Sequence, residues 1–136
     1  MAHVFFCSVR EGAAPKYSEE QRRAWCPSEP DPETFAKRLD GLTSFVAVRA
    51  GKIVGFMSLR GDGYLDFAFV MPAERGRGVA DHLWAMVLNE ALVEGMDNLS
   101  TQASTLARSF FARHGWVHEG AQEIERAGVI LENHLM

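Results

Sequence analysis

A glycine-rich turn, Arg75-Gly76-Arg77-Gly78-Val79-Ala80, stands between the apolar strand-like run Leu65-Asp66-Phe67-Ala68-Phe69-Val70 and a helical run from Asp81. No other feature constrains the fold as strongly. A strand that passes into a helix through glycines leaves several backbone N–H groups unpaired, and the helix dipole adds its positive end to the same small space. Such a space suits a phosphate or pyrophosphate.

The flanking sequence predicts what the turn is set in. A helix is expected from His3 to about Ala13, stopped by Pro15. A second runs from Ser18 to Trp25, with Ser18 as N-cap and Gln21 in the capping-box position. Asp31 caps a third, with Pro32 at its first position and Gly41 at its end. Thr43 to Arg49 and Lys52 to Leu59 then read as a hairpin turning at Ala50-Gly51. Tyr64 to Met71 makes a third strand, with Leu65, Phe67, Phe69 and Met71 on one face and Tyr64, Asp66, Ala68 and Val70 on the other. A long helix is expected over 78–94, a short strand over 98–102 and a helix over 104–114. Two last strands, from Trp116 to about Arg126 and from Val129 to Leu135, turn at Ala127-Gly128. This order predicts an α/β (α+β) domain with a mixed central sheet flanked by helices.

With 136 residues, 47% of them hydrophobic, the chain has the size of a single domain spanning 1–136. Its net charge of −4 argues against nucleic-acid binding through a basic field. No apolar run approaches the about 20 residues that span a bilayer, so no membrane association is expected and the cytoplasm is the default location. Cys7 and Cys26 read as two free thiols, and the separation of His114 from His118 by Gly115 argues against a metal site.

Two common phosphate motifs fail at the turn. No Lys-Ser or Lys-Thr follows the glycines, as a Walker A loop requires. The third glycine of a dinucleotide fingerprint is replaced by Asp81, and the turn does not open a βαβ unit.

The pattern Arg75-x-x-Gly78-x-Ala80, after a strand ending Phe69-Val70-Met71-Pro72, resembles the acetyl-coenzyme A signature of the GNAT superfamily of N-acetyltransferases. Leu106-Ala107-Arg108-Ser109-Phe110-Phe111-Ala112-Arg113-His114-Gly115-Trp116 resembles that family's second motif, and 45–48 with 51–56 its antiparallel strands. Tyr17-Ser18 with Gln21 and Trp25, together with Arg126-Ala127-Gly128-Val129, resembles a poorly characterised bacterial branch. The resemblance implies an acyltransferase that moves the acetyl group of acetyl-CoA, its co-substrate, directly to a small-molecule amine. It implies further that the N–H groups of Arg75, Gly76, Arg77, Gly78, Val79 and Ala80 hold the pyrophosphate, and that the pantetheine arm pairs with backbone near Phe69 and Val70. A Cβ at Gly76 or Gly78 would obstruct this approach. Arg75 and Arg77 either add charge there or are solvated surface residues.

For the chemistry, the resemblance makes the Val70 N–H an oxyanion donor. Asp66, mid-strand, is the favoured general base, with a paired structural carboxylate as its alternative. Tyr64 either orders a water beside it or packs at the strand end. Tyr17, Trp25 and Phe35 fall in the region of the acceptor wall, where ordinary packing competes with substrate binding. The chain departs from the family pattern in two places. Phe111 stands where many members carry a tyrosine that protonates the leaving thiolate, so Ser104 or Ser109 is a substitute contact, helix capping being the alternative for Ser104. The chain also opens on a helix where members begin with a strand, so the sheet lacks its first strand or the reading frame starts late. These departures leave a second reading open, a coenzyme-binding sensor or interaction module without catalysis. A homodimer through exposed edges at the last two strands is a further expectation.

Overall fold

The computed structural model describes residues 1–136. Helix α1 (Ala2–Cys7) opens the chain and continues as a π-helical turn over Ser8–Gly12. Helices α2 (Glu19–Trp25) and α3 (Pro32–Arg38) follow, each started by the cap its sequence dictates. The N–H of Gln21 donates to Ser18 Oγ at 3.1 Å, and the N–H of Ser18 donates back to Gln21 Oε1 at 2.9 Å. The N–H of Thr34 donates to Asp31 Oδ2 at 3.1 Å.

Strands β1 (Thr43–Arg49), β2 (Lys52–Leu59) and β3 (Leu65–Val70) form an antiparallel sheet in that order. A 3₁₀ turn over Pro72–Glu74 leads through the glycines to α4 (Val79–Val93). Then come β4 (Gln102–Ser104), α5 (Arg108–Arg113), β5 (Gly120–Arg126) and β6 (Val129–Leu135). The last three strands make a second antiparallel sheet, ordered β4-β6-β5. No helix is long and apolar enough to cross a membrane.

The expected central sheet is therefore split. Its halves meet at one parallel bridge between Tyr64 and Ser100, where the N–H of Leu65 donates to the Ser100 carbonyl at 2.8 Å. Thr101 Oγ1 fastens the same point by donating to the Leu65 carbonyl at 2.8 Å. Beyond it β3 pairs only with β2, and β4 only with β6, so the halves part and a cleft opens between them.

Other boundaries move for identifiable reasons. Strand β4 lies at 102–104, later than expected, because these are the residues in register with Asn133, His134 and Leu135. Helix α5 starts late because Ser104 and Ala107 close a turn, the Ala107 N–H reaching the Ser104 carbonyl at 3.0 Å. Trp116, expected to begin a strand, packs instead on Phe111 and Trp84, with ring centroids 4.9 and 5.5 Å away. Strand β6 is central in its sheet, so only β5 of the last two strands is an edge.

Strand β3 corrects the expected facing pattern. Ser58 pairs with Phe67 but Leu59 pairs with Leu65, which makes Asp66 the extra residue of a β-bulge. Leu65 thereby turns to the opposite face from Phe67 and Phe69. It packs with Met57, Leu83, Val87 and Phe111 in the core between α4 and the first sheet. Phe67 joins Phe5, Phe35 and Phe56 on the other side, beneath α1 and α3. Full burial of each such ring contributes about 1.5–3 kcal/mol.

Candidate functional site

The Arg75 N–H, expected to join the anion site, instead donates to the Pro72 carbonyl at 3.3 Å, so residues 76–81 form the turn's open surface. No backbone carbonyl accepts from any of the six N–H groups from Gly76 to Asp81. Gly76 and Gly78 stand at φ 75° and 82°, in the left-handed region, and α4 begins at Val79 without a side-chain cap. Added Cβ atoms there would meet open space or, at Gly78, only His82 at 4.0 Å, so within the protein alone the demand for glycine is conformational. Six unpaired donors in succession at a helix start fit a multivalent anion such as a pyrophosphate.

The turn's arginines serve the protein itself. Arg75 Nη1 donates to the Gly12 carbonyl at 2.5 Å, tying the turn to the end of the π-helical segment. A side chain at Gly12 would collide with that guanidinium, whose pKa burial lowers. Arg77 pairs with Glu74 at 3.4 Å, and Arg49 holds the same carboxylate at 2.9 Å. Asp81, in the first turn of α4, lies 2.8 Å from His114 and 3.1 Å from Arg113, contacts that hold its carboxyl below the usual range.

The turn opens on a cleft of about 480 Å³, walled by the end of β3 on one side and by residues from Ser104 to Arg113 on the other. The N–H of Met71 donates to the Val54 carbonyl at 2.8 Å. By the alternation of an antiparallel strand, the N–H and carbonyl of Val70 then face away from β2, toward the parted edge. Ser8 Oγ donates to that carbonyl at 2.9 Å. The backbone of Phe69 is directed into the sheet, so of the two expected backbone partners only Val70 faces the opening. Phe111 lines the cleft at 1% exposure and offers only carbon.

A second cavity of about 180 Å³ adjoins the first, and Trp25, Phe69 and Ser104 line both. Asp66, Tyr64, Tyr17 and Trp25 all line it. The exposed Asp66, set by the bulge, has no ion-pair or hydrogen-bond partner within the protein. The Tyr64 ring lies under the Arg60 guanidinium at 4.7 Å, and burial, with the Asp66 charge, pushes its phenol above the ordinary value. Tyr17 is 5% exposed. Its hydroxyl donates to the Glu132 carbonyl at 2.6 Å and accepts from the Thr105 N–H at 2.9 Å, so it anchors the wall it helps to form. Trp25 packs on Tyr17, with ring centroids 5.5 Å apart. Phe35 is buried in the core and lines neither space. Sequence reasoning missed Arg38, Arg126 and Asn133, all on this wall. Arg38 left a trace, one helical turn after the apolar Phe35, and Arg126 stood in the run Arg126-Ala127-Gly128-Val129 without a site role.

Residues 13–133 match the acetyltransferase (GNAT) domain family. The chain is 31% identical over 133 residues to the uncharacterized N-acetyltransferase YafP of Escherichia coli K12, an alignment covering 98% of this chain and 83% of that protein. It superposes with a TM-score of 0.91 and 35% identity on the crystal structure of a GCN5-related N-acetyltransferase from Rhodopseudomonas palustris, described as a class-II aminotransferase, covering 99% and 84% of the two chains. The PaiA N-acetyltransferase of Thermoplasma acidophilum, solved in complex with coenzyme A, shares the fold at a TM-score of 0.68 and 14% identity, over 98% and 88% of the chains.

Proposed function

Because the chain belongs to the GNAT acetyltransferase family, we propose that it transfers the acetyl group of acetyl-CoA directly to a primary amine of a small acceptor. The observation that carries this reading is the junction of two spaces at Trp25, Phe69 and Ser104, one opening on six unpaired N–H groups and the other holding an unpaired carboxylate. The pyrophosphate sits on the N–H groups of 76–81, at about 1.5–3 kcal/mol for each charge-assisted bond. The pantetheine arm lies along the parted edge of β3, and the Val70 N–H donates to the thioester oxygen as it gains charge.

Asp66 is the general base. It stands four residues before Val70, roughly 13 Å along a strand that rises about 3.3 Å per residue. The amine proton therefore reaches it along a chain of waters, and the Tyr64 phenol, held in its protonated form, is the hydroxyl that orders the water next to Asp66. Ser104 Oγ accepts from the Ala107 N–H at 3.1 Å and keeps its own proton for the departing thiolate. Such help is modest in value, since a thiol with a pKa near roughly 8.5 is a tolerable leaving group.

Phe111 favours a second reading, a coenzyme-binding sensor. Calorimetry with acetyl-CoA followed by thiol release on an amine panel separates the two. Tight binding with no thiol released from any amine supports the sensor, and no binding at millimolar ligand rejects both. Asp66→Asn is expected to lower kcat/KM by about 10²- to 10⁴-fold with coenzyme affinity kept. An unchanged rate and pH profile would remove Asp66 from the mechanism.

A further inference from the structure

We propose that the acceptor is amphoteric: an amine that also carries a carboxylate, on a small apolar body, with its anion held by Arg38 and Arg126 and its ammonium turned toward Asp66. This rests on the transferase reading above and adds the substrate's chemical class.

Arginine usage in the molecule singles out the smaller cavity. Eight of the eleven arginines donate hydrogen bonds within the protein. The three that do not are Arg38, Arg108 and Arg126, and two of these line the cavity. Arg38 is held among aromatic rings: its guanidinium carbon lies 5.1–5.2 Å from the ring centroids of Phe5, Phe35 and Phe67. Such contacts use none of its N–H donors in a hydrogen bond. Arg126 ends β5, at the cavity's other wall.

The remaining polar groups specify the complement. Of the two carboxylates on the wall, Glu132 has the buried His134 imidazole 3.4 Å away, whereas Asp66 has nothing. Asn133 also lines the cavity, at 8% exposure, and its Oδ1 is the one buried side-chain polar atom in the protein without a partner. That oxygen has no accessible surface, so it belongs to the interior of the wall and is not a contact for a ligand. Two guanidinium forks and one carboxylate are matched by a ligand with an anion of planar, bidentate shape and an ammonium. A simple amine would leave both arginines unused. A polyamine would set like charge against them.

The body of the ligand follows from the walls. Trp25, Phe67, Phe69, Ile124 and Leu131 supply apolar surface. The volume of about 180 Å³ slightly exceeds the roughly 150 Å³ that accommodates benzene. A phenyl ring or a branched aliphatic group fits that space.

The test is calorimetry on the coenzyme A-loaded protein with two matched pairs, phenylalanine against phenethylamine and leucine against 3-methylbutylamine, with spermidine as polycation. The amino acid of at least one pair is expected to bind about 10-fold or more tightly than its decarboxylated partner, a difference of about 1.4 kcal/mol. Arg38→Met, which keeps an unbranched stem over the rings, and Arg126→Gln should each bring that ratio toward one with coenzyme affinity unchanged. Arg126→Gln, at an exposed strand end, carries the test if Arg38→Met misfolds. Equal or tighter binding of the plain amines, tightest binding of spermidine, or no binding by either amino acid at millimolar concentration overturns the proposal. Thiol release is read in parallel. Equal turnover of both members of a pair sinks the amphoteric acceptor alone, and selective binding without turnover sinks the transfer and keeps the ligand class.

Discussion

His134 is buried to 2% exposure, with Thr105 Oγ1 3.2 Å from one ring nitrogen and His118 Nε2 3.0 Å from the other. Burial lowers its pKa from the ordinary 6.5, the charges of Arg108 and His118 push the same way, and Glu132 opposes them. Below about pH 6.5 the unfolded chain takes up the proton before the folded one does, so folding loses stability as pH falls through the interval down to the depressed folded value. Urea titrations between about pH 7.5 and 5 should show this loss, and His134→Gln should flatten it. Residue-level chemistry was legible in the sequence where it is local. The glycines at 76 and 78 announce a left-handed turn whatever surrounds them. The partner of Arg75 was not legible, because Gly12 reaches it only across the fold, whereas Arg77 meets Glu74 only three residues before it.

At the level of elements, Tyr17 fastens the segment before α2 to β6 and to the turn before α5 through two hydrogen bonds. Tyr17→Phe leaves the Glu132 carbonyl and the Thr105 N–H unpaired, and should cost about 1–3 kcal/mol in chemical denaturation. A purely substrate-binding tyrosine would leave the midpoint unmoved and affect only acceptor binding. Helix starts were readable at Ser18 and Asp31 because a cap acts within three residues. The hairpin turns at Ala50-Gly51 and Ala127-Gly128 were readable for the same reason, each pair standing at positive φ. Strand β4 and the bulge at Asp66 were not. Each depends on a count of residues against a partner strand, which no local window contains.

Across the whole molecule, two sheets meet at one bridge and part around a cleft walled by both. A coenzyme bound in that cleft, as proposed, would touch both halves and resist their separation. At ligand 100-fold above its Kd the folded state should gain about 2.7 kcal/mol, a rise in Tm on the order of 10 °C for a chain of this size. Thermal unfolding with and without acetyl-CoA measures it, and a gain that does not grow with ligand concentration would exclude linkage as its source.

The hydroxyl of Ser8, resting on the Val70 carbonyl, has a consequence for the protein before any ligand arrives. A strand whose outer edge is bare is a template on which another chain can add itself, and β3 leaves that edge open along the cleft. Ser8 caps one of the bare acceptors with a group too small to propagate a ladder. The N-terminal segment thus occupies one acceptor of that edge while leaving the Val70 N–H open.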